Sequence, residues 1–482
     1  MIASHLNDGR LVEPPSCDVA SRLEVINPAT GDVIGAIPNM GGRETQAAIE
    51  RAEAAQPGWA ALGPYRRADV LQSWADLMVE NRADLAIIVT LEQGKPLREA
   101  EEEVDYALSF LRWFAEEGKR HYGEVIPSHK DGARLLTLRQ PIGVTAAITP
   151  WNWPLAMITR KAGAALAAGC PMIVRPASET PFSAIALMRL AVRAGLPRDV
   201  FPLVLGDPEE IARVLMESRT VRALSFTGST LVGKVLLAQS ASTVKRMALE
   251  LGGHAPFIVC ADADLDAAVE GAMQTKFEAA GQSCTALNKA FVHESLYAEF
   301  CERIAARAGA LKVGNGLEPD TDVGPLMSAA AIRTCQAHVD DAVAKGAELV
   351  VGGHALSRPG HFFAPTVLKG VTPDMLVSRE ETFGPVLPVS PFADPDQAVA
   401  LANDTDYGLA AFVYGENLKT IWRLMERLDY GMIGVNTFSM TGPPVPFGGT
   451  KQSGLGREGS YQGLEEFTEV KYACLGAMGA EA

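Results

Sequence analysis

Gly143-Val144-Thr145-Ala146-Ala147-Ile148-Thr149-Pro150-Trp151-Asn152 opens the stretch that decides the fold. Its first half is a short apolar run suited to a strand buried on both faces. A small-residue helix over 157–168 follows, then a second run, Met172-Ile173-Val174. The alternation continues through a helix over 182–193, the apolar Val200-Phe201-Pro202-Leu203-Val204-Leu205, a helix over 208–218, the strand Ala223-Leu224-Ser225-Phe226 and a helix over 230–240. Strands and helices alternating at this spacing predict a parallel, doubly wound α/β sheet. Ligands of such sheets sit at the carboxyl ends of the strands. Two of those ends carry chemistry here: Thr149-Pro150-Trp151-Asn152, and Phe226-Thr227-Gly228-Ser229.

Working outward, the first forty residues hold Leu23-Glu24-Val25-Ile26 and Val33-Ile34-Gly35-Ala36-Ile37 on either side of a Pro/Gly turn. Residues 43–118 have apolar positions at helical spacing, interrupted at Gly94-Lys95-Pro96, and are expected to be packing scaffold. Glu124-Val125-Ile126 and Arg134-Leu135-Leu136-Thr137-Leu138-Arg139 flank Asp131-Gly132, a hairpin signal. That hairpin is either a subunit contact or an edge of the main sheet. Past Gly252 a second alternating region begins with Ala255-Pro256-Phe257-Ile258-Val259 and runs to about Tyr430.

The length of 482 residues implies two or more domains. A net charge of -15, with no Lys/Arg-rich tract, argues against a nucleic-acid partner. No apolar stretch is long enough for a membrane span, and residues 1–10 lack a leader pattern, so a cytoplasmic protein is expected. Seven cysteines without a CxxC read as reduced thiols, and no His/Cys cluster has metal-ligand spacing, so no metal is expected.

Chemistry concentrates at 249–289. Glu250, between two leucines and ahead of Gly252-Gly253, has the setting of an inward carboxylate with a raised pKa; the bland alternative is a salt-bridged surface acid. Cys284 follows Gly281-Gln282-Ser283, a segment too small and polar for a core strand. A lone cysteine is more often a buried hydrophobe, yet this one has a candidate base in Glu250. Asn152, stiffened by Trp151, Trp153 and Pro154, is either an oxyanion donor or a helix cap. Gly228 and Gly233, five apart at a strand-to-helix junction, suit a phosphate or a plain structural turn.

Together these motifs resemble the aldehyde dehydrogenase superfamily along nearly the whole chain. The matching stretches are Pro150-Trp151-Asn152-Trp153-Pro154, Phe226-Thr227-Gly228-Ser229-Thr230, Leu249-Glu250-Leu251-Gly252-Gly253, Gly281-Gln282-Ser283-Cys284, Glu381-Thr382-Phe383-Gly384-Pro385 and Pro446-Phe447-Gly448-Gly449-Thr450-Lys451-Gln452-Ser453-Gly454. Two more stretches, Met157-Ile158-Thr159-Arg160-Lys161-Ala162-Gly163 and Lys451-Gln452-Ser453-Gly454-Leu455-Gly456-Arg457-Glu458-Gly459, are similar to the succinate-semialdehyde dehydrogenase branch.

The resemblance implies an NAD- or NADP-dependent enzyme that makes a carboxylic acid from an aldehyde. It casts Cys284 as nucleophile, Glu250 as base for water, and Asn152 with the Cys284 backbone N–H as oxyanion donors. Trp151, Arg175, Ser178, Phe226, Gly228 and Ser229 fall at cofactor positions on the adenine and phosphate side, and Glu381 and Phe383 at the nicotinamide. It also implies a Rossmann-like dinucleotide-binding domain over 1–118 and 142–252, an α/β catalytic domain over 253–465 and a β-hairpin oligomerisation element over 119–141 and 466–482. The partners expected are a small aldehyde and further copies of the chain, as homodimer or homotetramer.

Departures from the pattern concern specificity. The usual lysine after the second strand is Arg175, and the position often held by a ribose-binding glutamate is Ser178, which eases the approach of a 2′-phosphate. In the branch, the distal carboxylate of the substrate is held by an Arg matching Arg160, a second Arg six residues before the cysteine, and a Ser in the loop before Pro-Phe-Gly-Gly. Here the second is Glu278 and the third is Gly442, beside Thr441; Trp153 and Phe447 are the remaining substrate-side candidates. A carboxylate at 278 repels a dicarboxylate semialdehyde unless it pairs with Arg160. The expected substrate is therefore an ω-aldehyde with an amino or zwitterionic end, or a longer neutral one, with succinate semialdehyde as the alternative. A CoA-acylating enzyme is disfavoured by Glu250, and a catalytically silent binding protein by the presence of all three catalytic-type residues. Ala286 stands where some relatives carry a second, redox-sensitive cysteine.

Overall fold

The computed structural model describes residues 1–476, so the end of the expected oligomerisation element, 477–482, lies outside the described residues. Its first sheet has Val144–Ile148 between Met172–Arg175 and Val221–Thr227, with Arg246–Glu250 beyond, all parallel. Gly454–Leu455 completes it as a short antiparallel strand on Arg246–Glu250, so the far end of the chain returns to the first sheet. The helix Ala156–Ala168 is buried at every position, which its Ala and Gly content permits by close approach, and it ends where Gly169 turns left-handed at φ 95°. Helices Pro181–Arg193, Pro208–Glu217 and Thr230–Ser240 follow, each within a residue of its expected place. Val200-Leu205 departs from expectation. Arg198–Val200 is a 3-10 turn and only Val174 bridges Leu203, because Pro202 removes a ladder donor from the middle of the run.

The second sheet has seven strands in the order Glu348–Val351, Thr366–Lys369, Val386–Phe392, Leu287–His293, Ala255–Val259, Ala410–Tyr414 and Met432–Val435. All pairings are parallel except the first. It encloses its own apolar core, centred on Phe257, Leu287, Val389 and Phe412. A separate three-stranded antiparallel sheet joins Val125–Ile126, Arg134–Pro141 and the late strand Thr468–Leu475. The Asp-Gly hairpin is thus present, extended by a third strand that sequence patterning left unassigned.

Four helices precede the first sheet and join its core: Gly42–Ala61 packs on Pro208–Glu217, while Pro64–Glu80, Arg82–Gln93 and Leu97–Glu117 pack on one another, the last also on Ala156–Ala168. The last two of the four are separated at Gly94, whose φ of 96° and following Pro96 end one helix and start the next. Among the described residues no helix is long and apolar enough to cross a membrane.

Gly454 decides how the returning strand seats. Its φ is 151°, and a Cβ there would overlap the Leu249 carbonyl oxygen. Gly454→Ala is expected to cost about 2 kcal/mol. The readout is a fall of a few degrees in apparent Tm, together with lower turnover because the strand it presses against, Arg246–Glu250, carries Glu250 opposite Gly454.

Candidate active site

A cleft of about 580 Å³ lies where the strand ends of the first sheet face loops that lead into strands of the second. Its lining draws Trp151, Asn152, Trp153 and Arg160 from the first unit, with Gly228 and Ser229. Glu278, Cys284, Glu381, Phe383, Thr441 and Phe447 approach from the other side. Twelve of the sixteen residues expected at the site therefore share one cavity wall. Glu250, Arg175, Ser178 and Phe226 lie behind it.

Cys284 is half-buried on the segment between the Leu265–Phe277 helix and the Leu287–His293 strand. Burial pushes its thiol up to about 12, the Glu381 carboxylate adding to the shift and Arg160 opposing it. The segment before it is strained: Ala279 and Ala280 have φ of 47° and 57°. Gln282 anchors it, donating from Nε2 to the carbonyls of Ala279 (3.0 Å) and Pro325 (3.2 Å) and accepting the Met327 N–H at 2.8 Å. Asn152 donates one Nδ2 hydrogen to the Gln282 carbonyl at 2.9 Å, which ties it to the cysteine segment. An amide nitrogen carries two hydrogens, so a second is left for an oxygen in the cleft. No side-chain cap is made by Asn152; the helix it precedes starts at Ala156.

Glu250 ends the Arg246–Glu250 strand, buried, with Oε2 unpartnered. Burial raises its carboxyl well above the usual range, and the Glu458 carboxylate adds to this, while Lys161 and Arg160 oppose it. Glu458 is itself held low by Lys161 and Arg160 despite its burial. It accepts hydrogen bonds from Lys161 and, at 3.5 Å, from Arg160. Lys161 also reaches Ser225 (3.0 Å) and Thr227 (2.7 Å). Arg160 donates to the Tyr106 hydroxyl at 2.9 Å and lies 4.2 Å from the centre of the Phe447 ring, leaving its Nε without a partner. The possible Arg160–Glu278 pair is not formed. Glu278 lines the cleft with no hydrogen-bond or ion-pair partner for its carboxylate among the described residues, and burial raises its pKa, Lys95 opposing.

A dinucleotide fits the other half of the cleft. Gly228 has no Cβ to fill the space above the Phe226 ring, so Phe226 acts as a floor rather than a wall. Ser229 caps the Thr230–Ser240 helix, accepting the Val232 N–H at 3.4 Å, and leaves the N-terminal end of that helix facing the cleft. Arg175 donates to Ser178 Oγ at 2.8 Å and to the Gly206 carbonyl at 3.3 Å, with a buried Nε still unpartnered. Glu381 accepts the Gly253 N–H at 3.1 Å, and burial pushes its carboxyl up to about 7. Trp151 and Phe383 meet edge to face at 5.6 Å, with Phe383 at φ 50°.

Sequence reasoning missed four contributors. Glu102 and Tyr106 line the cleft from Leu97–Glu117, a helix expected to be scaffold alone. Glu99, Glu102, Glu103, Tyr106 and Phe110 recur at helical spacing, a mixed polar stripe that was the available signal. Lys161 and Glu458 sat inside quoted motifs without a role. Adjacent Arg160 and Lys161 in an otherwise small, apolar helix already called for a buried anion.

The aldehyde dehydrogenase family profile matches residues 16–473. The non-phosphorylating aspartate-semialdehyde dehydrogenase of Halomonas elongata is 54% identical over 463 residues, covering 96% of this chain and 94% of its own. The NADP(+) succinate-semialdehyde dehydrogenase of Escherichia coli is 51% identical, over 94% of each chain. The crystal structure of succinate-semialdehyde dehydrogenase from Burkholderia pseudomallei superimposes with a TM-score of 0.96 at 50% identity, covering 98% of this chain and 99% of that one. Likeness of this extent, at about half identity, places the chain in the aldehyde dehydrogenase family, as an NAD(P)-dependent oxidoreductase acting on aldehydes.

Proposed function

We propose that this enzyme oxidises a short semialdehyde carrying both an ammonium and a carboxylate, an α-amino-acid ω-semialdehyde, to the corresponding amino dicarboxylic acid. One observation carries the reading: Arg160 and an unpaired Glu278 line the same cleft as Cys284, giving one cation and one free anion for a zwitterionic end. The Halomonas elongata relative, named for aspartate semialdehyde, supports it. Succinate semialdehyde is the second reading, favoured by Arg160 and by the Escherichia coli relative.

In the reaction, Cys284 gives its thiol proton to a base, Glu250 directly or through water, as the sulfur adds to the aldehyde carbon, and that proton passes on to solvent before the second half. The second Asn152 hydrogen and the Cys284 backbone N–H hold the resulting oxyanion. A bound nicotinamide supplies the hydride acceptor, its ribose held by Glu381 and its ring bounded by Phe383. Glu250 then takes a proton from water as the water attacks the thioester, releasing acid and the thiol. Arg175 and Ser178 hold the adenine ribose and accept a 2′-phosphate, so NADP is used as well as NAD. The two sheets and their separate cores support a division into a dinucleotide-binding domain (1–118 and 142–252) and a catalytic domain (253–465), with Gly454–Leu455 returning to the first sheet. Exposed Val125, Val470 and Tyr472 on the three-stranded sheet support its role as an oligomerisation surface in a cytoplasmic homodimer or homotetramer.

Three outcomes are expected. Aspartate semialdehyde should exceed succinate semialdehyde in kcat/KM, and Glu278→Arg should shift that ratio toward succinate semialdehyde by about tenfold or more; a wild-type preference for succinate semialdehyde would sink the zwitterion reading. Glu250→Gln should give a burst of reduced cofactor equal to the enzyme present, then turnover about a hundredfold slower or worse. Because Glu250 acts deprotonated and its pKa is raised by burial, wild-type deacylation should fade as pH is lowered, starting above the ordinary carboxylate range, and the variant should lose that dependence. Finally, Ser178→Glu should weaken NADP relative to NAD by about tenfold, measured as the ratio of KM values.

A further inference from the structure

Glu99 and Glu103 stand one turn apart on the Leu97–Glu117 helix, both buried. Each takes its hydrogen bonds from a different side of the cleft. Glu99 Oε2 accepts the N–H of Ala279 at 2.8 Å, in the strained segment that leads to Cys284. Glu103 Oε1 accepts the N–H of Leu155 at 2.8 Å and of Ala156 at 3.3 Å, at the start of the helix that follows Asn152. Its other oxygen takes Lys95 Nζ at 2.7 Å, and that ammonium lies 3.8 Å from the centre of the Trp153 ring.

These contacts close a ring. From Glu99 it passes through Ala279 to Gln282, whose carbonyl accepts Asn152, then through the short chain to Leu155 and back to the helix by Glu103. Carboxyl oxygens on a rigid helix fix the direction of the N–H groups they accept, and buried N–H groups left without them carry the full desolvation cost. We propose that Glu99 and Glu103 are positioning residues that set the separation of the nucleophile segment from the Asn152 segment.

The inference rests on Cys284 and Asn152 having the roles given above, and the two assignments fail separately. Glu99→Ala and Glu103→Ala should each lower kcat by about tenfold or more at saturating cofactor, since a small misplacement of oxyanion donor from nucleophile is costly. Glu99→Gln and Glu103→Gln keep an acceptor and should recover most of that loss. Glu103→Ala added to Asn152→Ala should lower kcat by less than about twofold further, because the group it positions is already gone. Hydrogen exchange of peptides covering 279–284, measured on the cofactor-free enzyme, should accelerate in Glu99→Ala and not in Glu99→Gln. As a control, Asp84, a buried carboxylate that accepts the N–H groups of Asn7 and Asp8 at 2.9 Å far from the cleft, should lower Tm when changed to Ala and leave kcat intact. Equal losses from Glu103→Ala in both backgrounds, or unchanged exchange in Glu99→Ala, would overturn the proposal. Full turnover by Asn152→Ala would remove the oxyanion role of Asn152, and the exchange measurement would still decide whether Glu99 positions the segment.

Discussion

Two cations side by side on a fully buried helix are not tolerable alone. Arg160 and Lys161 are held inside by Glu458, which arrives from the far end of the chain and accepts from both. Taking such ions out of water costs several kcal/mol each, and only pairing with well-placed hydrogen bonds offsets it. Ser225 and Thr227 supply more acceptors for Lys161, so the cluster is anchored to the middle of the first sheet. The same anion lies close enough to raise Glu250, and it engages part of the Arg160 guanidinium. How Glu250 is tuned and how much of Arg160 remains for a ligand are thus one electrostatic problem with one solution.

Behind the wall that carries Glu102 and Glu278 the balance has the opposite sign. Glu99, Glu102, Glu103 and Glu278 gather around a single ammonium, Lys95, which is already bonded to Glu103. Glu99 is pushed up to about 8, burial first and Glu278 next, so the group resists further negative charge. Of these carboxylates Glu102 and Glu278 line the cleft, and Arg160 lines it as well, so a ligand there meets both signs of charge.

Much of this was legible in the residues. The run from Gly143 to Ser240 announced its sheet because buried parallel strands are short apolar blocks and their helices are amphipathic or small. Cys284, Glu250 and Asn152 each carried an ordinary structural reading beside the catalytic one, and it was the set of motifs along the chain that singled them out. Two kinds of information were absent. Val200-Leu205 looked like a strand because composition was weighed above the missing donor of Pro202. Glu102, Tyr106, Lys161 and Glu458 were opaque because their meaning lies in contacts across many residues of chain, and periodicity shows only which face a side chain occupies. Glu278 was identified as the doubtful position, but its freedom from Arg160 could be settled only once Tyr106 and Glu458 were seen to take that partner.

The return of residues 454–467 to the first sheet also governs the order in which the protein can mature. Gly454–Leu455, Glu458, Leu464 and Phe467 belong to the core laid down by residues 1–251, and Thr468–Leu475 pairs along the whole of Arg134–Pro141. During synthesis the first sheet emerges early, with Arg160 and Lys161 lacking their anion and Arg246–Glu250 and Arg134–Pro141 lacking their late partners, until nearly the entire polypeptide has left the ribosome. The second sheet, with its own core, is complete before that point. A chain that ends before Glu458 therefore holds two buried cations without their anion and leaves strand edges unpaired.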